Sequence, residues 1–196
     1  MNSVLTPNLP DTSPAPRRRG RLQLILLLLV AIGPMVLATF MYQWRFWVPE
    51  GRNYHGTLIG DGTQLADIGV QGTAPERWQL LVTTPGDCAA DCRELVYRAR
   101  QIHIGLNRDA ARAVHGLAVA RPLSDAYDQQ LQREYPQLGR YGLDEQRYLQ
   151  QVLGGGEAQL WIVDPHGNLV LRYDATSKGK DILNDLRLLL KLSQIG

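Results

Sequence analysis

The chain has 196 residues, 44% of them apolar, and a formal net charge of +2. Part of that charge is a short run of arginines near the amino terminus, so the rest is close to neutral and nucleic acid is an unexpected partner. No Ser-His-Asp arrangement, metalloprotease motif or phosphate-binding glycine loop occurs, which leaves the two cysteines as the main carriers of chemistry.

Residues Met1 to Pro16 are polar and rich in Pro, Ser, Thr and Asn, the composition of a disordered tail. Arg17, Arg18, Arg19 and Arg21 follow, then an almost wholly apolar stretch from Leu22 to Met41. At ~1.5 Å per residue such a stretch spans a bilayer core of ~30 Å. Tyr42, Trp44, Phe46 and Trp47 stand just beyond it, as an interfacial aromatic belt does. The arginines place the amino terminus in the cytoplasm and the carboxyl-terminal bulk outside it. A signal peptide cleaved near Val36-Leu37-Ala38 is the alternative. On either reading the cysteines face an oxidising space. The expected organisation is a basic cytoplasmic tail over 1–21, an anchor over 22–42, a linker with a lead-in hairpin over 43–75, and one α/β domain over 76–196. The lead-in hairpin pairs Tyr54–Ile59 with Gln64–Ile68 about Gly60-Asp61-Gly62.

Within the domain, Trp78 to Thr83 has strand character and runs into the turn Pro85-Gly86. Helical spacing follows, with Leu95, Ala99 and Ile102 on one face and Asp87 or Asp91 as the expected cap. Cys88 and Cys92 therefore lie where a strand ends and a helix begins. A helix start presents free N–H groups and positive potential, which favour a thiolate; the flanking Asp87 and Asp91 oppose that effect. Four residues apart on one helical turn, the two Cα atoms would be roughly 6 Å apart, within disulfide range. The pair can cycle between dithiol and disulfide, hold one soft metal ion, or serve as a staple. A staple across so short a loop contributes only ~2 kcal/mol.

Val114 to Ala120 reads as a second strand, Ser124 to about Glu134 as a helix, and Glu145 to Leu153 as another, capped by Asp144 and stopped by Gly154-Gly155-Gly156. Ala158–Val163 and Leu169–Tyr173 flank Asp164-Pro165-His166-Gly167-Asn168 as a hairpin. Ile182, Leu183, Leu186, Leu189 and Leu190 mark an amphipathic last helix with Asp181 near its start, and the apolar run to Leu192 is expected to serve core packing. This order predicts a mixed sheet with helices on both faces, its first two strands parallel neighbours.

That order, with a cysteine pair after the first strand, resembles the thioredoxin fold. The spacing Cys88-Ala89-Ala90-Asp91-Cys92, the single anchor, and Leu160-Trp161-Ile162-Val163-Asp164-Pro165-His166-Gly167 are similar to the Sco family, membrane-anchored assembly factors for the copper centre of cytochrome c oxidase. The resemblance covers about residues 76 to 195. It implies an inner-membrane protein with its domain in the periplasm, Cys88 and Cys92 as exchange residues or copper ligands, and an oxidase subunit or assembly factor as partner. The family's prolines beside the cysteines are replaced by Ala89 and Arg93, and its ligand histidine would fall near Gly156, where none stands. His103 and His115 lie toward the far end of the helix and strand, ~16 Å along the helix axis for His103. His166 lies in the hairpin turn, ~23 Å away along the strand. His55, ahead of the domain, is the remaining candidate. Thiol–disulfide exchange with Cys88 as attacker and Cys92 as resolver is the expected function. Copper binding through both cysteines and a non-catalytic interaction module are the alternatives.

Overall fold

The computed structural model describes residues 18–44, 54–73 and 75–193. The chain divides into two units, residues Met1–Gly51 and Arg52–Gly196. In the first, helix α1 (Arg18–Trp44) includes the span Gly20–Phe40, long and apolar enough to cross a membrane. Its leucines are exposed on every side, the pattern of a helix whose surroundings are apolar rather than its own core. Thr39 Oγ1 donates to the Met35 carbonyl at 2.8 Å, so this polar side chain is satisfied within the helix. The tail Met1–Pro16, Arg17, Phe46 and Trp47 lie outside the described residues.

The second unit is a seven-stranded sheet in the order β1-β7-β6-β3-β4-β5-β2. Its strands are β1 (Thr57–Leu58), β2 (Val70–Gln71), β3 (Trp78–Thr84), β4 (Ala113–Val119), β5 (Gly139–Leu143), β6 (Gln159–Val163) and β7 (Leu169–Tyr173). Its helices are α2 (Ala90–Gly105), α3 (Asp125–Glu134), α4 (Glu145–Gln151) and α5 (Gly179–Leu192), with a 3-10 turn over Asn107–Arg112. β3 is central, and every residue in it is buried. β3 and β4 run parallel from Trp78↔Ala113 to Thr84↔Val119, as the crossover through α2 requires. β6 is antiparallel to β3, and β6–β7 is the expected hairpin, with Gly167 at φ 87° in its turn. Asp164 fixes that turn by accepting from the backbone N–H groups of His166 and Asn168.

Alternation along the strands builds two cores. Leu80, Val82, Leu117, Leu160 and Leu171 pack against α2, α3 and α5. Leu81, Trp161, Val163 and Leu169 pack against Tyr148 of α4 and the chain around Leu65 and Ile68. Of the last apolar run, Leu186, Leu189 and Leu190 are buried and Leu192 is exposed.

Two expectations are corrected. Residues 54–68 do not form a hairpin: Thr57–Leu58 joins β7 at one edge of the sheet and Val70–Gln71 joins β5 at the other. Each segment gains more by covering an open sheet edge than by pairing with its neighbour across Gly60-Asp61-Gly62. Residues 139–143, which carry no strand pattern in the sequence, form β5. Gly139 and Gly142 weaken their strand signal, but backbone pairing to β4 holds them. The Tyr141 ring covers Gly116 and Gly139 of this seam, since a Cβ on either would meet it at 2.9 or 3.0 Å.

Candidate functional site: the Cys88–Cys92 loop

Cys88 and Cys92 are joined in a disulfide, with Cα atoms 5.1 Å apart. The loop leaves the carboxyl end of β3 at Thr84, turns through Pro85-Gly86 and enters α2 at Ala90. The capping expectation is corrected here. Ala89 occupies the cap position, and neither Asp87 nor Asp91 caps α2. Instead the Asp87 carbonyl accepts from Ala89 N–H at 2.8 Å, a tight backbone turn that places Cys88 just ahead of the helix and Cys92 inside its first turn. Both aspartates are exposed, where water screens their charge.

The two sulfur residues are not equivalent. Cys88 is 9% exposed and Cys92 2%. Cys92 packs in the core with Leu95 and Val96. Arg93, which stands where the Sco resemblance has a proline, has a place in the site. Its Nε donates to the Cys88 carbonyl at 3.1 Å, and its guanidinium lies 4.6 Å from the centre of the Tyr127 ring. Tyr127 is buried, and burial is the main cause pushing its phenol up to about 12, so it stays neutral beneath the cation. Arg93 thus adds a fixed positive charge to the positive end of α2 on the loop that carries the sulfurs. The signal that would have found it is a cation one residue after the second cysteine, on a turn that must meet α3.

The histidines do not join this loop. His103 is near the end of α2, His115 is opposite Leu80, and His166 is in the β6–β7 turn beyond Val163↔Gln79, all at the other end of β3. His55 is engaged elsewhere. Its Nδ1 lies 2.8 Å from Asp185 Oδ1, and Asp185 also accepts from the backbone N–H groups of His55 and Gly56 and from the Tyr173 hydroxyl. That carboxylate pins the lead-in segment to α5. Among the described residues no group of three His, Cys, Asp or Glu side chains could hold a metal ion. The described residues do not fit a three-ligand copper site.

A strand, a cysteine loop, a helix with the second cysteine in its first turn and a mixed sheet with a closing hairpin define a thioredoxin-like protein. The chain belongs to the family described as transmembrane-like, thioredoxin-like, C-terminal domain, whose model matches residues 78–193. The companion transmembrane-like N-terminal domain model matches residues 14–45, and with α1 it supports a single-pass membrane anchor. No curated protein matches the chain. It is similar to the solved structure of Arabidopsis thaliana ScoI with copper bound, at 8% identity and TM-score 0.48, covering 61% of this chain and 88% of that one. It is also similar to Bradyrhizobium japonicum ScoI with copper bound, at 12% identity and TM-score 0.42, covering 59% and 86%. A Xylella fastidiosa PrxQ mutant is similar at 13% identity and TM-score 0.43, covering 69% and 98%.

Proposed function

We propose that this protein is a membrane-anchored thiol–disulfide exchange factor working outside the cytoplasm, with Cys88 as the exchanging sulfur and Cys92 as the resolving one. The observation that carries the reading is the disulfide at the head of α2 with Cys88 at 9% exposure over Cys92 at 2%. A partner thiolate attacks Cys88 Sγ. A partner–Cys88 disulfide forms, the Cys88–Cys92 bond breaks, and its electron pair leaves as a thiolate on Cys92 at the positive end of the helix. A second partner thiolate then displaces Cys88, leaving this chain as the dithiol and the partner oxidised. The reverse sequence reduces a partner disulfide.

Extracytoplasmic placement rests on the arginines ahead of the anchor. The finer reading, service to cytochrome c oxidase assembly with an inner-membrane oxidase subunit or assembly factor as partner, rests on the cysteine spacing and the Asp164-Pro165-His166-Gly167 hairpin. No step is routed through copper. Exchange with a thiol-bearing peptide is tested on the full chain in micelles. Cys88→Ala should abolish it, and Cys92→Ala, offered a peptide disulfide instead, should release one peptide thiol and keep the other as a mixed disulfide on Cys88. Full activity of Cys88→Ala would refute the assignment. Tight binding of Cu(I) to the reduced protein, lost in Cys88→Ser, would favour a copper carrier instead.

A further inference from the structure

At the end of the sheet remote from the disulfide, the structure holds a second concentration of polar side chains that thiol exchange does not use. His115, on β4 opposite Leu80, is 4% exposed, and neither ring nitrogen has a hydrogen-bond partner. Its ring lies 5.0 Å from that of His103. His103 is held in place by its own backbone contacts, Nε2 reaching the carbonyls of Ala110 at 3.1 Å and Ala113 at 3.0 Å. These contacts direct the Nε2 proton outward to the carbonyls. A buried imidazole left with two unpartnered nitrogens is costly unless something fills the space beside it.

The space exists. A cavity of about 550 Å³ is lined by Arg77, His103, Ala110, Ala113, His115 and Gln137. A second of about 250 Å³, which shares His103, His115 and Gln137 with the first, adds Arg100, Tyr135 and Glu134. His115 belongs to both, with exposed Arg77 and Gln137 at the mouth. Arg100 is braced by stacking over Tyr135 at 4.9 Å. Glu134, the carboxylate among the described lining residues, already accepts from Gln130 Nε2 at 3.1 Å.

The charge balance selects the ligand. Burial first, then His103 and Arg100, hold His115 down to about 4, so at neutral pH it offers one N–H and one lone pair. Two arginines beside that ring disfavour a metal cation and favour an anion. We infer that the His103–His115 cavity is a binding site for a small oxyanion of the phosphate or carboxylate class, held by Arg77 and Arg100 and hydrogen-bonded at its inner end to His115. An oxyanion that also carries a hydroxyl, such as hydrogen phosphate or a hydroxycarboxylate, satisfies both His115 nitrogens. The site lies several strand residues from the disulfide, ~13 Å from Leu80 to Thr84 along β3, so occupancy and exchange chemistry are separate properties.

Calorimetric titration of the full chain in zwitterionic micelles, with inorganic phosphate and with citrate as probes, tests this. One-to-one binding of at least one probe is expected, with a Kd below about 1 mM. Arg100→Gln and His115→Leu should each weaken it by about tenfold or more, and Arg147→Gln, on α4, should leave it unchanged. Near-wild-type melting of the variants separates lost binding from lost folding, and Arg77→Gln at the exposed mouth gives a variant outside the core. Neither probe binding would overturn the inference. So would equal weakening by Arg147→Gln, which would indicate diffuse attraction to basic residues. Uptake of Zn²⁺ lost on His115→Leu, without anion binding, would assign the histidine pair to a metal instead.

Discussion

Reduction of the Cys88–Cys92 disulfide distinguishes an exchange site from a structural staple. The bond closes a loop with a sequence separation of 4. In the chain-entropy model such a loop contributes about 2 kcal/mol, against nearly 5 for a loop of about 100 residues. The segment it closes is also held by other contacts. Ala89 N–H donates to the Asp87 carbonyl, Arg93 N–H to the Ala89 carbonyl, and Arg93 Nε to the Cys88 carbonyl. Both sulfur residues pack among Leu95, Val96 and Tyr127, contacts that thiols keep. The reduced domain should therefore stay folded. For a unit the size of Arg52–Gly196, a loss of about 2 kcal/mol lowers Tm by roughly 4–8 °C. Scanning calorimetry of the full chain with and without excess dithiothreitol gives the shift, and near-ultraviolet circular dichroism reports packing around Trp78 and Trp161. A fall several times larger, or loss of the near-ultraviolet signal on reduction, would show that the fold depends on the bond and would refute a dithiol–disulfide cycle at this site.

Other expectations concern the surroundings. Arg93→Gln should keep the fold but slow exchange at neutral pH, because the Cys88 loop loses its cation; stopped-flow thiol exchange measures this, and an unchanged rate would remove Arg93 from the site. Thr83→Val should cost about 2–4 kcal/mol in urea unfolding, because Thr83 Oγ1 accepts from Trp161 Nε1 at 2.9 Å and bonds the Tyr148 hydroxyl at 2.6 Å, all buried; Thr83→Ser should recover most of it. The hydrogen bond to Asp185 raises His55 above 6.5, so its contribution to stability is full below pH 6.5 and is lost as pH rises through the folded value. The Tm difference between wild type and His55→Gln should accordingly shrink from acid toward alkaline pH; a flat difference would contradict the pairing. Gly69→Ala should cost about 1–3 kcal/mol, since Gly69 has φ 83° and a Cβ there would stand 3.0 Å from the Asp144 carbonyl oxygen, with faster hydrogen exchange at the start of α4 as the local signature.

Sequence alone determined what depends on local pattern. The apolar run at Trp78–Thr83, the helical spacing of Leu95, Ala99 and Ile102, the Asp-Pro-His-Gly turn and the apolar stretch before Met41 each carry their structure in a few neighbouring residues. So did Asp144, whose side chain accepts from Arg147 N–H at 3.0 Å as a helix cap should. The cysteines' place between strand and helix followed from the same signals. Tertiary structure decided what depends on partners distant in the chain. β1 and β2 are two residues each and exist because opposite sheet edges were open to them. β5 is a strand because β4 lies beside it, with Tyr141 covering Gly139 and Gln71 covering Gly142. His55 is bound to Asp185, 130 residues away in sequence, which no local pattern encodes. The cap at Ala89, the stacking of Arg93 on Tyr127 and the approach of His103 to His115 likewise arise only when α2 is laid across the sheet. Hydrophobic period and turn chemistry act over one to four residues, whereas edge pairing, burial of charge and ring contacts are settled only after the chain has folded back on itself.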